Sequence, residues 1–131
     1  TRRSSDLFFG SVAGGDTLPV RKPDGGHVTW IMDRLGVTDG AAVMVGDNHN
    51  DVAAARGAGI PVAAVGMITE PEQAESILRH RHADAVALAR GILYDPRWPW
   101  HAAAALRDSV EPAPQYLRCE PREARGVFKA R

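Results

Sequence analysis

The sequence predicts an α/β fold of about four parallel β-α units, arranged as a half barrel or a small open Rossmann-like sheet. Short apolar runs suit buried strands, and the periodic segments between them suit helices. Because strands and helices alternate with short connections, the strands should be parallel and joined by right-handed crossovers. The four predicted strands are Leu7–Ala13, Ala41–Gly46, Ile60–Gly66 and Ala83–Ala89.

The first helix is predicted from the spacing of its apolar residues. Val28, Ile31, Met32 and Leu35 follow the i, i+3, i+4, i+7 pattern of one helix face. Gly36 then supplies a residue that tolerates the left-handed conformation common at helix ends.

Three further helices follow the second, third and fourth strands. An alanine-rich helix is predicted over Val52–Ala58. The next should begin with a capping box, Thr69-x-x-Glu72, with Pro71 in the first turn, where a missing N–H costs little. The last is predicted over Trp100–Leu106, after the break at Asp95-Pro96.

Length and composition indicate one α/β domain over residues 1–108, followed by an extended proline-rich tail over 109–131. At 131 residues with 44% hydrophobic side chains, the chain can bury a real core. Lys plus Arg equals Asp plus Glu at 16 each, so no net charge favours nucleic acid or an anionic membrane. No apolar run approaches a transmembrane length, and the lone Cys119 has no internal disulfide partner. We therefore expect a cytoplasmic protein.

Two motifs in residues 7–65 carry a family resemblance. Gly14–Thr17 with Arg21–Asp24 resembles the lysine loop of haloacid-dehalogenase-superfamily phosphatases, and Met44–Asp47 with Asn50-Asp51 resembles their acidic metal-binding loop. The two motifs stand in the order found in phosphoglycolate phosphatase-like members. The resemblance implies a phosphatase-type hydrolase.

The resemblance also implies roles for particular residues. Lys22 would be the partner of the phosphate charge, and Asp47 and Asp51 would be carboxylates around a divalent metal such as magnesium. The sequence shows neither the family's Asp-x-Asp nucleophile strand nor the next strand with its Ser/Thr phosphate ligand. We therefore expect the covalent aspartyl-phosphate route to be closed and water to be the nucleophile.

Residues from about 60 to 128 resemble a different family, the old yellow enzyme-type NADH:flavin oxidoreductases. The likeness rests on Ala64–Thr69, Asp84–Arg90 and Tyr94–Trp100, and the strand Ile60–Gly66 suits both families. Members are (β/α)8 barrels, and this segment resembles their last two units. The chain thus reads as a recombined protein, with a phosphatase-like half over 7–65 and a flavin-oxidoreductase-like half over 60–108.

The second resemblance implies a remnant of a flavin site. Barrel loops after the seventh and eighth strands often hold a phosphate. By resemblance, the FMN phosphate would lie against Gly66, Met67, Ala89 and Arg90. FMN itself should bind poorly, because one phosphate subsite offers far less contact than a tight complex needs.

The acidic loop also supports a metal site on chemical grounds. Asp47 and Asp51 follow a strand at its carboxyl end, where ligands of open α/β sheets gather, and hard cations prefer grouped carboxylates. His49 lies between them and could add a nitrogen ligand, which would favour zinc or manganese over magnesium. Alternatively, Asp51 only caps the following helix, Asp47 binds loop amides and His49 is solvated.

The leading functional hypothesis is a weak metal-dependent phosphoester hydrolase, acting on mono- or diesters of a small phosphorylated molecule. Asp47, Asp51 and Lys22 would form its catalytic site, with a water whose pKa a metal lowers. One alternative is a phosphate- or FMN-binding fragment without turnover, and another is a folded chimera with no selected function. Because the outer strands Leu7–Ala13 and Ala83–Ala89 carry no lysine or proline to discourage pairing, we also expect a homodimer.

Overall fold

The computed structural model describes residues 9–129, which form two compact units. The first unit runs to Val65 and takes in Arg81–Ala87, and the second consists of Gly66–His80 and Leu88–Arg131. The predicted division into residues 1–108 and 109–131 is not tested by this arrangement and stays a prediction. In the described part of the chain, no helix has the length and apolar character needed to cross a membrane.

The first unit contains a small parallel sheet. Its strands are β1 (Met44–Gly46), β2 (Val62–Val65) and β3 (Ala85–Ala87), in the order β1-β2-β3. Val45 lies beside Ala63, and Ala63 lies beside Ala85, so the register continues across the sheet. This open parallel sheet with helices confirms the predicted α/β fold class.

Asp84 fixes the register of β3 against β2. Its backbone N–H donates to the carbonyl of Val62 at 2.9 Å, and its carboxylate Oδ2 accepts the N–H of Val62 at 2.9 Å. The two groups of Val62 are therefore satisfied by one residue just before β3. Val62 is 1% exposed, so leaving these groups unpaired would be costly.

The first unit also contains two α-helices, α1 (Gly26–Leu35) and α2 (His49–Gly57), and a short 3-10 turn at Asp39–Ala41. Gly36 ends α1 with φ 65°, as its sequence position predicts, and its N–H donates to the carbonyl of Asp33. Gly25, just before α1, lies so close to α2 that a Cβ would stand 2.7 Å from the carbonyl carbon of Gly57. Glycine at position 25 therefore allows the start of α1 to touch the end of α2.

The predicted strand Leu7–Ala13 lies partly outside the described residues. Its described part, from Phe9 to Ala13, belongs to no strand. Phe9 and Val12 are 62% and 58% exposed, so this segment does not bury the apolar side chains that suggested a strand. Within residues 9–129 the sheet accordingly has three strands.

The second unit contains α3 (Pro71–Arg79), α4 (Arg90–Tyr94) and α5 (Trp98–Ala105). Pro71 stands in the first turn of α3 as predicted, but the capping box is wrong. Glu70 is the N-cap and makes no side-chain cap hydrogen bond. Instead, the side-chain amide of Gln73, a residue of α3, bonds to the backbone just before the helix. Its Oε1 accepts the N–H of Thr69, and its Nε2 donates to the carbonyl of Met67.

The segment after α5 folds back on itself where the sequence suggested an extended tail. The N–H of Val110 donates to the carbonyl of Val127 at 2.7 Å, and the N–H of Lys129 donates to the carbonyl of Val110 at 3.1 Å. Two 3-10 turns, Pro114–Cys119 and Arg122–Ala124, lie between these partners. Val127 is 4% exposed, so this segment contributes to the core of the second unit.

Candidate active site

The acidic loop begins directly after β1 and forms the start of α2. The Oδ1 of Asn48 accepts the N–H groups of Asn50 and Asp51, and the Oδ2 of Asp51 accepts the N–H groups of Asn48 and Asp47. This is a reciprocal capping box, which satisfies backbone donors that a helix start otherwise leaves free. It explains why α2 begins at His49, three residues before the predicted start at Val52.

Glycine at position 46 makes this arrangement possible. A Cβ on Gly46 would overlap the Cβ of Asp51 and would stand 2.5 Å from its Cγ. These atoms belong to the root of a short side chain, which cannot swing away without leaving its hydrogen bonds. The last residue of β1 must therefore lack a side chain so that Asp51 can lie against the strand.

Lys22 meets the acidic loop from a distant part of the chain. Its Nζ donates to the Oδ1 of Asp51 at 2.5 Å, and the Asp51 side chain is only 7% exposed. The Lys22 side chain is 50% exposed, and its bond to Asp51 uses one of the three N–H donors of the ammonium, so the other two remain for a ligand. The structure thus brings together Lys22 and Asp51, two of the three predicted catalytic residues.

The Lys22 ammonium beside Asp51 holds the pKa of that carboxyl below its usual range. The hydrogen bond from Lys22 is the main cause, and the amides of Asn48 and Asp47 act in the same direction, against the opposing effect of burial. Asp51 is therefore a carboxylate at neutral pH.

A cavity of about 520 Å³ opens beside Lys22 in the first unit. Arg21, Lys22 and His27 line it together with the glycine turn Gly14-Gly15. His27 is 9% exposed, and its Nε2 is buried without a hydrogen-bond partner. Two cationic side chains and an imidazole on one cavity wall favour a small anionic ligand. Neither Arg21 nor His27 was among the residues predicted from the sequence.

The residues present fit a divalent metal only in part. The two carboxylate oxygens of Asp51 are already engaged by Lys22 and by backbone amides. Asp47 and His49 are exposed, and the Asp47 carboxylate makes no hydrogen bond within residues 9–129, so these two remain available. In the same residues, no group of three or more acidic, histidine or cysteine side chains is arranged to hold an ion. A metal would therefore be held mainly by Asp47, with His49 beside it, and Asp51 as a ligand stays a prediction.

The predicted flavin residues lie in the second unit. Gly66 and Met67 have positive φ angles of 93° and 53°, and Met67 is 90% exposed. Ala89 precedes α4, whose first residue, Arg90, is exposed. Among the described residues no hydrogen bond joins the Gly66-Met67 turn to Ala89-Arg90. The phosphate cradle and the weak binding of FMN therefore stay predictions.

One signal in the sequence could have located the start of α2. Asn48 followed three positions later by Asp51 is a capping-box pattern. The leading interpretation of this segment assigned Asp51 to an ion, and the alternative was that Asp51 only caps the following helix. The structure shows Asp51 bound to a lysine and to the backbone.

Comparison with known proteins agrees with the motifs of the first unit. Residues 3–65 match the family of haloacid dehalogenase-like hydrolases. This part of the chain is similar to those hydrolases. It contains both the Lys22 loop and the acidic loop, so the geometry described above lies wholly inside the matched segment.

Curated relatives carry two different names. Phosphoglycolate phosphatase of Rhodospirillum rubrum is 48% identical over 62 residues, which are 46% of this chain and 26% of that protein. NADPH dehydrogenase of Bacillus pumilus is 50% identical over 62 residues, 47% of this chain and 18% of that protein. NADPH dehydrogenase of Geobacillus thermodenitrificans is 48% identical over 63 residues, 48% of this chain and 18% of that protein. The chain thus spans about a quarter or less of these relatives.

Proposed function

We propose that the first unit binds a small phosphorylated molecule and hydrolyses its phosphoester bond. The contact of Lys22 Nζ with Asp51 Oδ1 at 2.5 Å supports this most directly, because it joins the two motifs at the carboxyl end of β1. Ligands of open α/β sheets bind at such ends. Relatives named phosphoglycolate phosphatase make a small phosphomonoester the first substrate class to test.

Each residue of the site has a distinct task in this proposal. Lys22 binds a phosphoryl oxygen with the part of its ammonium that Asp51 leaves free, and Asp51 keeps the lysine in place. Arg21 and His27 face the same cavity and suit the remaining oxygens of the anion. Asp47, with His49, would hold a divalent cation, which would polarise the phosphoryl group when bound. Water supplies the attacking oxygen.

Hydrolysis of p-nitrophenyl phosphate and bis(p-nitrophenyl) phosphate, with and without EDTA, tests the proposal. Lys22→Met should lower kcat/KM by about 100-fold, because it removes a cation from the developing phosphoryl charge. Lys129→Met is the matched control, since Lys129 is exposed and lies in the other unit. Turnover that survives Lys22→Met, or that is missing from the wild type with added magnesium, manganese and zinc, would contradict it.

The role of Asp47 needs its own pair of variants. Asp47→Asn should abolish the stimulation by metal while leaving the fold intact, because the Asp47 carboxylate makes no hydrogen bond in the described chain. Asp33→Asn removes the same charge from an exposed position on α1 and should change nothing. Equal metal stimulation in Asp47→Asn and in the wild type would refute the assignment.

We also propose that the chain joins segments of two enzyme families near β2. Relatives with unrelated names each cover slightly less than half of the chain, which supports the proposal. Sequencing the source DNA across the codons of Ile60–Gly66 tests it. A reading frame that continues as a phosphatase beyond Val65 would show that no such junction exists.

A further inference from the structure

The second unit contains a cavity that the hydrolase proposal does not use. Its volume is about 310 Å³, at the lower end of the range for small-molecule sites. The wall is mostly apolar and comes from α5, the two 3-10 turns and the segment that returns to Val110. Its main apolar residues are Trp100, Ala104, Tyr116, Pro121, Val127 and Phe128.

Arg97 supplies a positive charge at this wall. Its guanidinium carbon lies 4.3 Å from the centre of the Trp100 ring and 4.2 Å from that of Tyr116. Such contacts rest on attraction between the cation and the aromatic face and use none of the five N–H donors of the guanidinium as hydrogen bonds. Within residues 9–129 these N–H groups make no hydrogen bond or ion pair.

Two carboxylates of this unit, Asp95 and Glu120, already bind other groups. Asp95 accepts the backbone N–H of Arg97 with Oδ1 and binds Nδ1 of His101 at 2.7 Å with Oδ2. Glu120 Oε1 accepts the N–H groups of Gly126 and Phe128. A guanidinium whose carbon lies over two rings therefore keeps its N–H donors for a ligand.

We propose that this cavity binds a small monocarboxylate with an apolar body, its carboxylate paired with the edge of Arg97. A carboxylate matches the two parallel N–H donors of a guanidinium, and the apolar wall suits a phenyl or branched aliphatic group. A phosphate dianion fits less well, because His101 already pairs with Asp95 and Arg97 would be alone against two charges. The volume limits the ligand to about one ring and a short chain.

Titration of the full chain with 3-phenylpropionate, followed by the Trp100 indole resonance in two-dimensional NMR, tests the proposal. Saturable binding at one site is expected, and the neutral 3-phenylpropanamide should bind at least 10-fold more weakly. Phenyl phosphate should also be weaker than the carboxylate. Equal affinity for acid and amide, tighter binding of the phosphate, or no shift at millimolar acid would overturn the proposal.

Variants separate the charge from the shape of the cavity. Arg97→Met should remove the preference for acid over amide, whereas Arg125→Met removes an exposed charge that does not line the cavity and should leave it unchanged. Ala104→Phe should fill the space and abolish binding of both compounds. Binding of the acid to Arg97→Met with wild-type affinity would refute the assignment even if Ala104→Phe fails to fold.

Discussion

Replacing Gly46 with alanine should destabilise the first unit by about 1–6 kcal/mol. The added Cβ would overlap the root of the Asp51 side chain, so either β1 or α2 must shift. Overpacking of this kind costs about 1–3 kcal/mol. If Asp51 leaves its place, its hydrogen bonds to Lys22 and to backbone amides are lost as well, and a bond to a charged group contributes about 1.5–3 kcal/mol.

The matched control is Gly40→Ala. A Cβ on Gly40 meets nothing within 4 Å, and its φ does not lie in the left-handed region. The same methyl group should therefore change the free energy of unfolding by no more than about 0.5 kcal/mol. Both glycines belong to the first unit, so both variants report on the same core.

Urea unfolding followed by circular dichroism measures the difference. The midpoint of Gly46→Ala should fall while its slope stays close to that of the wild type, which shows a change in stability and not in compactness. If Gly46→Ala and Gly40→Ala unfold within 0.5 kcal/mol of each other, the close packing of Asp51 against β1 is not what holds this loop.

Three further predictions follow from the same unit. Because the pKa of Asp51 is lowered in the fold, its contribution to stability is complete above about pH 4 and is lost as the pH falls through the lowered value. The free energy of unfolding, measured with urea between pH 7 and pH 3, should thus fall more steeply in the wild type than in Asp51→Asn. An equal fall in both proteins would contradict this. His27→Leu should raise the free energy of unfolding by about 1 kcal/mol, because it removes a buried nitrogen without a hydrogen-bond partner. His49→Gln, at an exposed position, is the control. A loss of stability in His27→Leu would show that Nε2 of His27 has a partner in solution. A homodimer is expected because Val43, just before the outer strand β1, and Val45, within it, are 61% and 57% exposed. A monodisperse 14.1 kDa species in light scattering at micromolar concentration would refute this expectation.

Much of the fold could be predicted from short-range patterns. The apolar spacing and Gly36 located α1 within two residues at its start, and the apolar runs located β1, β2 and β3. These signals depend on burial and on backbone geometry, which neighbouring residues determine. The predicted capping box at Thr69 was wrong because the backbone N–H of Thr69 donates to Gln73, four residues away, and not to Glu72. Local patterns alone cannot rank such competing partners.

The candidate site was harder to predict because its key contacts are distant in the sequence. Lys22 and Asp51 are 29 positions apart, and only the fold decides that they meet. His27 belongs to no motif, and Arg21 belongs to the lysine loop but was given no role there; their shared cavity depends on how α1 packs. Asp51 was recognised as important, but its partners could not be read from composition. A carboxylate that caps a helix and one that binds a metal look alike in a sequence.

The contact between Gly25 and Gly57 bears on how the first unit opens. Since the start of α1 rests on the end of α2 with no side chain between them, neither terminus can fray while the other stays in place. Lys22 lies just before this contact and is tied to the other end of α2 through Asp51. Amide protons at both helix ends should consequently exchange with solvent at similar rates, as members of one cooperative unit. Breaking the contact between Lys22 and Asp51 would then be coupled to local unfolding at the ends of α1 and α2.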